Sequence, residues 1–275
     1  MSSRAIPVAL TIAGSDSSAG AGAQADLKTF GSLGVYGVNA ITCVVAETPG
    51  KVQRIQAVDA DVVGEQITLL LERFPVAAIK TGLLYSREIV ARVAAILRNR
   101  ETRNGKQIPL VIDPVMVATS GDLLLQKGAV QVYEEDLFPL ATLVTPNLDE
   151  AATLLGRVIL DHNGLRAAGQ DLALRYGTSM LLKGGHFPGV DAIDLLCTGD
   201  RVTEFSAPFT RGVHTHGTGC TYSAAITAGL ASGLSLEEAI RRGKRFVTAA
   251  IEQHFAWAQD GCGTMHALNH SAEFE

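Results

Sequence analysis

The sequence is short of aromatic residues. They make up 5% of its 275 positions, and there is one tryptophan. That scarcity argues against an all-β sandwich, whose core is built on large rings. It fits closely packed helices and buried strands made from the abundant Ala, Gly, Val and Leu. Charged residues are also sparse at 19%, and the formal net charge is −5 with no block of Lys or Arg. A nucleic-acid partner therefore gets little electrostatic support. The four cysteines, Cys43, Cys197, Cys220 and Cys262, are scattered and contain no C-x-x-C pair. A disulfide scaffold or a zinc site would need closer clustering, so reduced thiols in a cytosolic protein are expected. No apolar stretch is long enough to span a bilayer, which speaks against a membrane partner. The apolar run from Ala5 to Ala13 after Arg4 reads on into a Gly/Ser/Asp turn, as a first strand would, rather than as a cleaved leader.

Hydrophobic residues are plentiful, 47% of the chain, enough for a large core. Short apolar runs predict strands at Val8–Ala13, Val38–Val45, Ala77–Lys80, Leu110–Ile112, Thr142–Thr145, Met180–Leu182, Ala192–Leu196 and Arg201–Phe205. Amphipathic stretches predict helices at Gly22–Leu33, Asp61–Arg73, Arg87–Arg100, Gly128–Leu137, Leu148–Leu155 and Leu165–Tyr176, then two longer ones at Cys220–Ser232 and Leu236–Ala256. This alternation implies an α/β protein with a mostly parallel sheet covered on both faces. No repeat, linker or composition shift divides the chain, so residues 1–275 are expected to form a single domain. The stretch 259–275 receives no role. In such a sheet, ligands bind beyond the carboxyl ends of the strands. Asp16, Glu47, Asp113, Asn147, Glu150 and Lys183 each follow a predicted strand.

The sharpest local signal is His216-Gly217-Thr218-Gly219-Cys220-Thr221 at the start of a small-residue helix. Glycines let the backbone approach a ligand, and a helix N-terminus offers N–H groups and partial positive charge, which suits a phosphate. The plainer alternative is a glycine-rich turn that merely starts a helix. Cys220 sits where the helix field is expected to lower a thiol pKa, making a base or nucleophile; the alternative is a small buried hydrophobe. A cysteine hydrolase using His214 or His216 is a weaker reading, because nearness in sequence is poor evidence for a catalytic pair.

Asn147 and Glu150, in Thr145-Pro146-Asn147-Leu148-Asp149-Glu150, share one face of a first helical turn. They would suit Mg²⁺, or simply cap the helix. Asp113, ahead of Pro114, is placed to meet a metal or phosphate, or to start a turn. Lys183 reaches a nucleotide phosphate or lies on a surface turn. Glu47 accepts hydrogen bonds from an aminopyrimidine edge or is a solvated turn acid. Asp26 is a ligand contact or a helix-start charge. Gly20-x-Gly22-x-x-Ala25, with Glu47 beyond it, formally matches a dinucleotide fingerprint. The predicted strand ends near Ala13, however, several residues before the tight turn that fingerprint requires.

Taken together, TIAGSDSSAGAGAQADLKTF, VVAET, VIDPVM, TPNLDEA, LLKGGH and HGTGCTYSAAI occur over about residues 8–257. In this order they resemble the hydroxymethylpyrimidine/phosphomethylpyrimidine kinase family of the ribokinase-like superfamily. Most ribokinase-like kinases carry an aspartate base where this branch carries cysteine, here Cys220. The resemblance implies a three-layer α/β/α sandwich with a central, mostly parallel sheet. It implies transfer of the γ-phosphate of ATP to 4-amino-5-hydroxymethyl-2-methylpyrimidine and then to its monophosphate, with Mg²⁺, in a cytoplasmic homodimer serving thiamine biosynthesis or salvage. Glu47 is implied as the pyrimidine-reading carboxylate, with Gly14, Ala21, Val45, Leu83 and Val115 around the same ring and Asp26 nearby. Asp113 and Glu150 are implied as metal–phosphate carboxylates. Lys183 and Asn147 are implied on the nucleotide phosphates, Gly217, Thr218 and Gly219 as the anion hole, and Cys220 as the residue facing the substrate hydroxyl. Relatives often carry Met where Leu83 stands, a change of similar size. Pyridoxal or pyridoxine kinase activity, or a non-catalytic pyrimidine sensor on the same fold, are the alternatives.

Overall fold

The computed structural model describes residues 6–101, 105–116, 124–126, 128–185, 191–210, 212–213, 215–259 and 263–274. His186, His214 and Cys262, considered above, lie outside them. Eight strands begin where apolar runs predict them or close by: β1 (Val8–Asp16), β2 (Tyr36–Thr48), β4 (Val76–Thr81), β5 (Leu110–Ile112), β6 (Leu143–Val144), β7 (Ser179–Lys183), β8 (Asp191–Thr198) and β9 (Arg201–Pro208). Together with β3 (Lys51–Ala57) they form one sheet in the order β3-β2-β1-β4-β5-β6-β7-β8-β9. β2 through β7 run parallel in that order, while β3, β8 and β9 pair antiparallel at the two edges.

Period-two alternation along β1 divides the core. Val8, Leu10 and Ile12 join the cluster that includes Val63, Ile67, Ile89 and Val93. That face carries α2 (Ala60–Arg73), α3 (Arg87–Leu97), α4 (Ala129–Val132), α5 (Leu148–Leu155) and α6 (His162–Tyr176), with a π-turn over Tyr133–Leu137 after α4. Ala9 points the other way, toward Phe30 of α1 (Gly22–Ser32), Ala224, Ala225 and Ala228 of α7 (Thr218–Ala231), and Phe246 of α8 (Leu236–Glu252). Small residues on α7 let it lie close against β1, β4 and β5. The result is the expected three-layer α/β/α sandwich. Among the described residues, no helix is long and apolar enough to cross a membrane.

A second sheet, absent from the sequence reading, has the order β10-β12-β11, from β10 (Thr215–His216), β11 (Phe255–Gln259) and β12 (Gly263–Ala267). The stretch 259–275, left without a role above, supplies β12 and then buries Leu268 and Ala272 against Ala249 and Ala250 of α8. β12 holds β10 by parallel pairing, and His270 reaches Thr221 at 3.0 Å. The C-terminal stretch thus braces the turn that enters α7.

β1 has β2 on one side and β4 on the other, so the chain reverses its direction of winding between β1 and β4. A cleft opens at such a switch point. The β1–β2 register shifts between Ala13 and Ser15, which splays the strand ends around Gly14.

Candidate active site

A cavity of about 450 Å³ lies at the carboxyl ends of the strands. Lining it are Gly14, Ala21, Val45, Glu47, Leu83, Val115, Asp113, Asn147, Glu150, Lys183, Gly217, Thr218, Gly219 and Cys220. With one exception, every residue that the resemblance implies for the site meets in this one space. The exception is Asp26, which is fully buried beneath it, bonded to Lys80 Nζ at 2.7 and 2.8 Å and to Thr11 Oγ1 at 2.6 Å. Asp26 therefore ties α1 to β1 and β4, and the expectation of a ligand contact is corrected. Its sequence signal, an acid in the first turns of a helix, does not reveal on which side of that helix the sheet lies.

One end of the cavity is built around Lys183. Pairing Asn147 with Lys183 brings the ends of β6 and β7 side by side. Lys183 Nζ lies 2.9 Å from Asp113 Oδ1. Asp113 also accepts from Thr145 Oγ1 and Ser223 Oγ, both at 3.2 Å. Burial opposes the charge of Asp113, but Lys183 and Lys80 outweigh it and hold the carboxyl below its ordinary value. Glu150 caps α5 reciprocally with Asn147, so the capping alternative holds, yet Glu150 also faces the cavity. Burial, with Asp113 adding to it and Lys183 opposing, pushes Glu150 up to about 7. Two nearby buried carboxylates that resist sharing their charge are a hard-oxygen donor set that a divalent cation would relieve. Mg²⁺ fits these residues on that ground.

The turn into α7 closes this end. Gly217 has φ 85, in the left-handed region. A Cβ there would come within 1.9 Å of the Gly20 carbonyl oxygen, so the position admits glycine alone without displacing the facing loop. A Cβ on Gly219 would sit 3.1 Å from Lys183 Nζ and 3.7 Å from Asp113 Oδ2. The bare backbone of Gly219 leaves that volume to a ligand beside the lysine. Helix N-terminus, Lys183 and missing side chain converge on a place for an anion.

Cys220 overturns an expectation. The helix field was expected to lower its pKa; instead burial pushes the thiol up to about 12, against the pull of Lys80. At neutral pH it is a protonated thiol rather than a standing thiolate. The sequence shows the helix start but not the depth at which it lies.

At the other end Asp16 organises the loop between β1 and α1. It accepts from Ser18 N at 2.7 Å, Ser18 Oγ at 2.9 Å, Gly20 N at 3.1 Å and Ala21 N at 2.8 Å. Ser17 Oγ donates to the Glu47 carbonyl and accepts from the Glu47 N–H, tying the loop to β2. His216 Nε2 lies 3.1 Å from Asp16 Oδ2 and 3.7 Å from Glu47 Oε2. Burial opposes the charge of Asp16, but His216 and the loop donors hold the carboxyl at about 2. Burial and Asp16 push Glu47 up to about 7, with His216 opposing. Leu83, Val45 and Gly14 give this end apolar walls, and a Cβ on Gly14 would press to 2.8 Å from Cys43 Sγ.

Several contributors were not foreseen. Asp194 on β8 accepts from Gly184 N at 3.2 Å and Lys244 Nζ at 2.6 Å, anchoring the turn after Lys183 to α8. Phe209, Val213, Val247 and Ile251 wall the cavity beyond it. Buried polar residues on late strands and helices carry no local motif, so only the folded chain reveals them.

Comparison with known proteins agrees with this geometry. The family model for phosphomethylpyrimidine kinase matches residues 16–266. A hydroxymethylpyrimidine/phosphomethylpyrimidine kinase of Rhizobium meliloti is 46% identical over 245 residues, covering 89% of this chain and 90% of its own. A Bacillus subtilis pyridoxal kinase, solved as an ADP complex, superposes with a TM-score of 0.85 at 35% identity, covering 98% of each chain. A phosphomethylpyrimidine kinase of Clostridium difficile superposes with a TM-score of 0.77 at 35% identity, covering 89% of this chain and 99% of its own. Since the match runs nearly end to end and through both ends of the cavity, this chain belongs to the hydroxymethylpyrimidine/phosphomethylpyrimidine kinase family.

Proposed function

We propose that the protein transfers the γ-phosphoryl group of ATP to the hydroxymethyl group of 4-amino-5-hydroxymethyl-2-methylpyrimidine, and then a second phosphoryl group to the monophosphate, in thiamine biosynthesis or salvage. One observation carries the reading. A ring-sized apolar end bearing Glu47 and an anion end bearing Lys183, Asp113 and Gly219 meet across Cys220 in a single cavity. The family relationship and the ADP complex of a structural relative support it.

In phosphoryl transfer the substrate oxygen forms a bond to the γ-phosphorus as the bond to the leaving ADP oxygen breaks. Positioning and charge stabilisation supply most of the catalysis. Lys183 and the N-terminal turn of α7 would hold the transferred group and offset its growing negative charge. Asp113 and Glu150 would hold Mg²⁺, which when bound neutralises phosphate charge and fixes its geometry. Glu47 would read the ring edge, with Gly14, Ala21, Val45, Leu83 and Val115 against its faces. Cys220 would align the hydroxyl by accepting its hydrogen bond at Sγ. In a loose transition state the O–P bond forms late, so the hydroxyl proton can pass to an oxygen of the transferred phosphoryl group and on to solvent, and a protonated thiol suffices as the aligning group. We further infer a cytoplasmic homodimer, which sedimentation of the purified protein tests.

Pyridoxal phosphorylation is the second reading, because the fold superposes as fully on a pyridoxal kinase as on any pyrimidine kinase compared above. ADP release measured side by side with hydroxymethylpyrimidine, its monophosphate and pyridoxal decides. The proposal expects turnover with both pyrimidines and a lower kcat/KM with pyridoxal. Turnover with pyridoxal alone would overturn it.

A further inference from the structure

Phosphoryl transfer gives His216 no task, yet its imidazole sits between the two acids of the ring end. A single nitrogen, Nε2, faces two carboxylates, 3.1 Å from Asp16 Oδ2 and 3.7 Å from Glu47 Oε2. The three side chains are 13%, 1% and 10% exposed, so water screens little of what passes between them. Asp16 is immobile because Ser18, Gly20 and Ala21 already bind it. Glu47 is held through its backbone by Ser17, and its carboxyl lies 3.7 Å from His216 Nε2, an ion-pair contact longer than a hydrogen bond. His216 is itself steadied by β10–β12 pairing and by the Gly217 turn against Gly20. The order of constraint thus runs from a rigid anchor, through a steadied imidazole, to a carboxyl that needs aiming.

We propose that His216 is a positioning residue, bridging Asp16 to Glu47 and so holding the Glu47 carboxyl in the orientation that reads the edge of the bound heterocycle. The inference rests on the ring-reading role of Glu47 proposed above. An aminopyrimidine edge sets a hydrogen-bond acceptor, the ring nitrogen, beside a donor, the amino group. A carboxyl meets both at once only when coplanar with the ring and when one proton is shared between them. A bridged carboxyl keeps that plane; a free one rotates, and reading the edge then costs rotamer entropy on binding. A pyridine ring carrying a hydroxyl lacks the amino–ring-nitrogen pair, so it gains less from the same constraint. Specificity, rather than turnover, is where His216 acts.

The charges around the bridge agree. The imidazole is held above its ordinary value: burial opposes this, and Asp16 and then Glu47 outweigh it. The titratable groups facing it are Asp16 from β1 and Glu47 from β2. β12 places Ala267 opposite it, and α1 sends Gln24 to the Asp16 N–H and Lys28 to the Ala19 carbonyl.

Two measurements test the bridge. Steady-state kinetics of His216→Asn should show the KM for hydroxymethylpyrimidine up about tenfold, the KM for ATP within about twofold, and the pyrimidine-over-pyridoxal preference down about tenfold. In the ligand-free protein, NMR titration of the His216 imidazole should give a midpoint that falls when Glu47→Gln removes the neighbouring carboxylate. A midpoint unmoved by Glu47→Gln, or an unchanged pyrimidine KM in a folded His216→Asn variant, would overturn the inference. Should His216→Asn not fold, the titration alone decides. A wild type that turns over no pyrimidine would sink the substrate assignment, while the titration would still report on the bridge.

Discussion

The two ends of the cavity are built on the same plan and differ in one part. Each sets two carboxylates around one cation. At the anion end Asp113 is held low and Glu150 is raised to about 7, with Lys183 between them. At the ring end Asp16 is held at about 2 and Glu47 is raised to about 7, with His216 between them. All four acids line the cavity, and in each pair one is held low by its hydrogen-bond and charge partners while the other is raised by burial. The difference is the cation. An ammonium stays charged at any physiological pH and suits a phosphate that is always anionic. An imidazole can lose its proton where an ammonium does not, though here Asp16 and Glu47 hold it above its ordinary value, and it suits a ring whose own nitrogen can gain or lose a proton.

Removing Lys183 should show the largest effect, because it takes away the ammonium that faces the cavity and leaves Asp113 only the buried Lys80, which is already bonded to Asp26. Lys183→Met is expected to lower kcat by about 10²–10³ or more, as losing a charge-stabilising donor commonly does. The KM for hydroxymethylpyrimidine should stay within about twofold. Lys183→Arg should recover little, because a planar fork does not replace a point charge lodged against Asp113. A proportional rise in the pyrimidine KM would show that the ends are not separable.

Gly217 lies where the ends touch. Gly217→Ala meets both a left-handed φ of 85 and a 1.9 Å approach to the Gly20 carbonyl. The backbone penalty alone is about 1–2 kcal/mol. Pushing the loop from the turn should therefore lower Tm by several degrees and raise the KM for both substrates, unlike any change confined to one end.

Cys220 is the boundary residue. If it orients the hydroxyl as a protonated thiol, Cys220→Ser should keep kcat within about tenfold, while Cys220→Ala should lose about a hundredfold and still bind pyrimidine. A Cys220→Ser variant as slow as Cys220→Ala would point to proton abstraction by sulfur.

The sequence made the anion end more legible than the ring end. Lys183 closes one parallel strand and Asp113 follows another, each a continuous apolar run that announces its end, and the glycine turn carries its own motif. At the ring end, Glu47 was visible as a strand-end acid, but His216 read only as the start of the glycine motif or a weak partner for Cys220, because Asp16 and Glu47 are far away in sequence. The edge strand β3 went unread because Lys51, Gln53, Arg54 and Gln56 give it a solvated face. β11 and β12 went unread because they are short, and because the amphipathic pattern of α8 reads on to Ala256, past the helix end at Glu252. Asp26 and Cys220 were misjudged for one physical reason: both depend on burial depth, which is a property of packing and not of neighbours in sequence.

The smallest expected effect is also the one that separates the two cations most directly. Glu150 and Glu47 are both raised to about 7 in the free protein, so each is largely protonated at pH 6 and ionised at pH 8. Because these folded values exceed the ordinary 4.5, folding favours the protonated acids. Without metal, stability should therefore fall as pH rises from 4.5 through 7, as thermal melts across that window would show. If Mg²⁺ is held by Asp113 and Glu150, it competes with the proton on Glu150 and not with that on Glu47, although Asp16, Glu47 and His216 also bring three ligand atoms within 4.8 Å of one another. An about tenfold increase in Mg²⁺ should accordingly move the acid limb of kcat/KM for ATP to lower pH, and recover part of the alkaline loss in Tm. The limb of kcat/KM for the pyrimidine should stay near pH 7, and should vanish in Glu47→Gln. If Mg²⁺ moved both limbs together, the ring end would be binding cation too, and the distinction between a permanent and a titratable partner would fail.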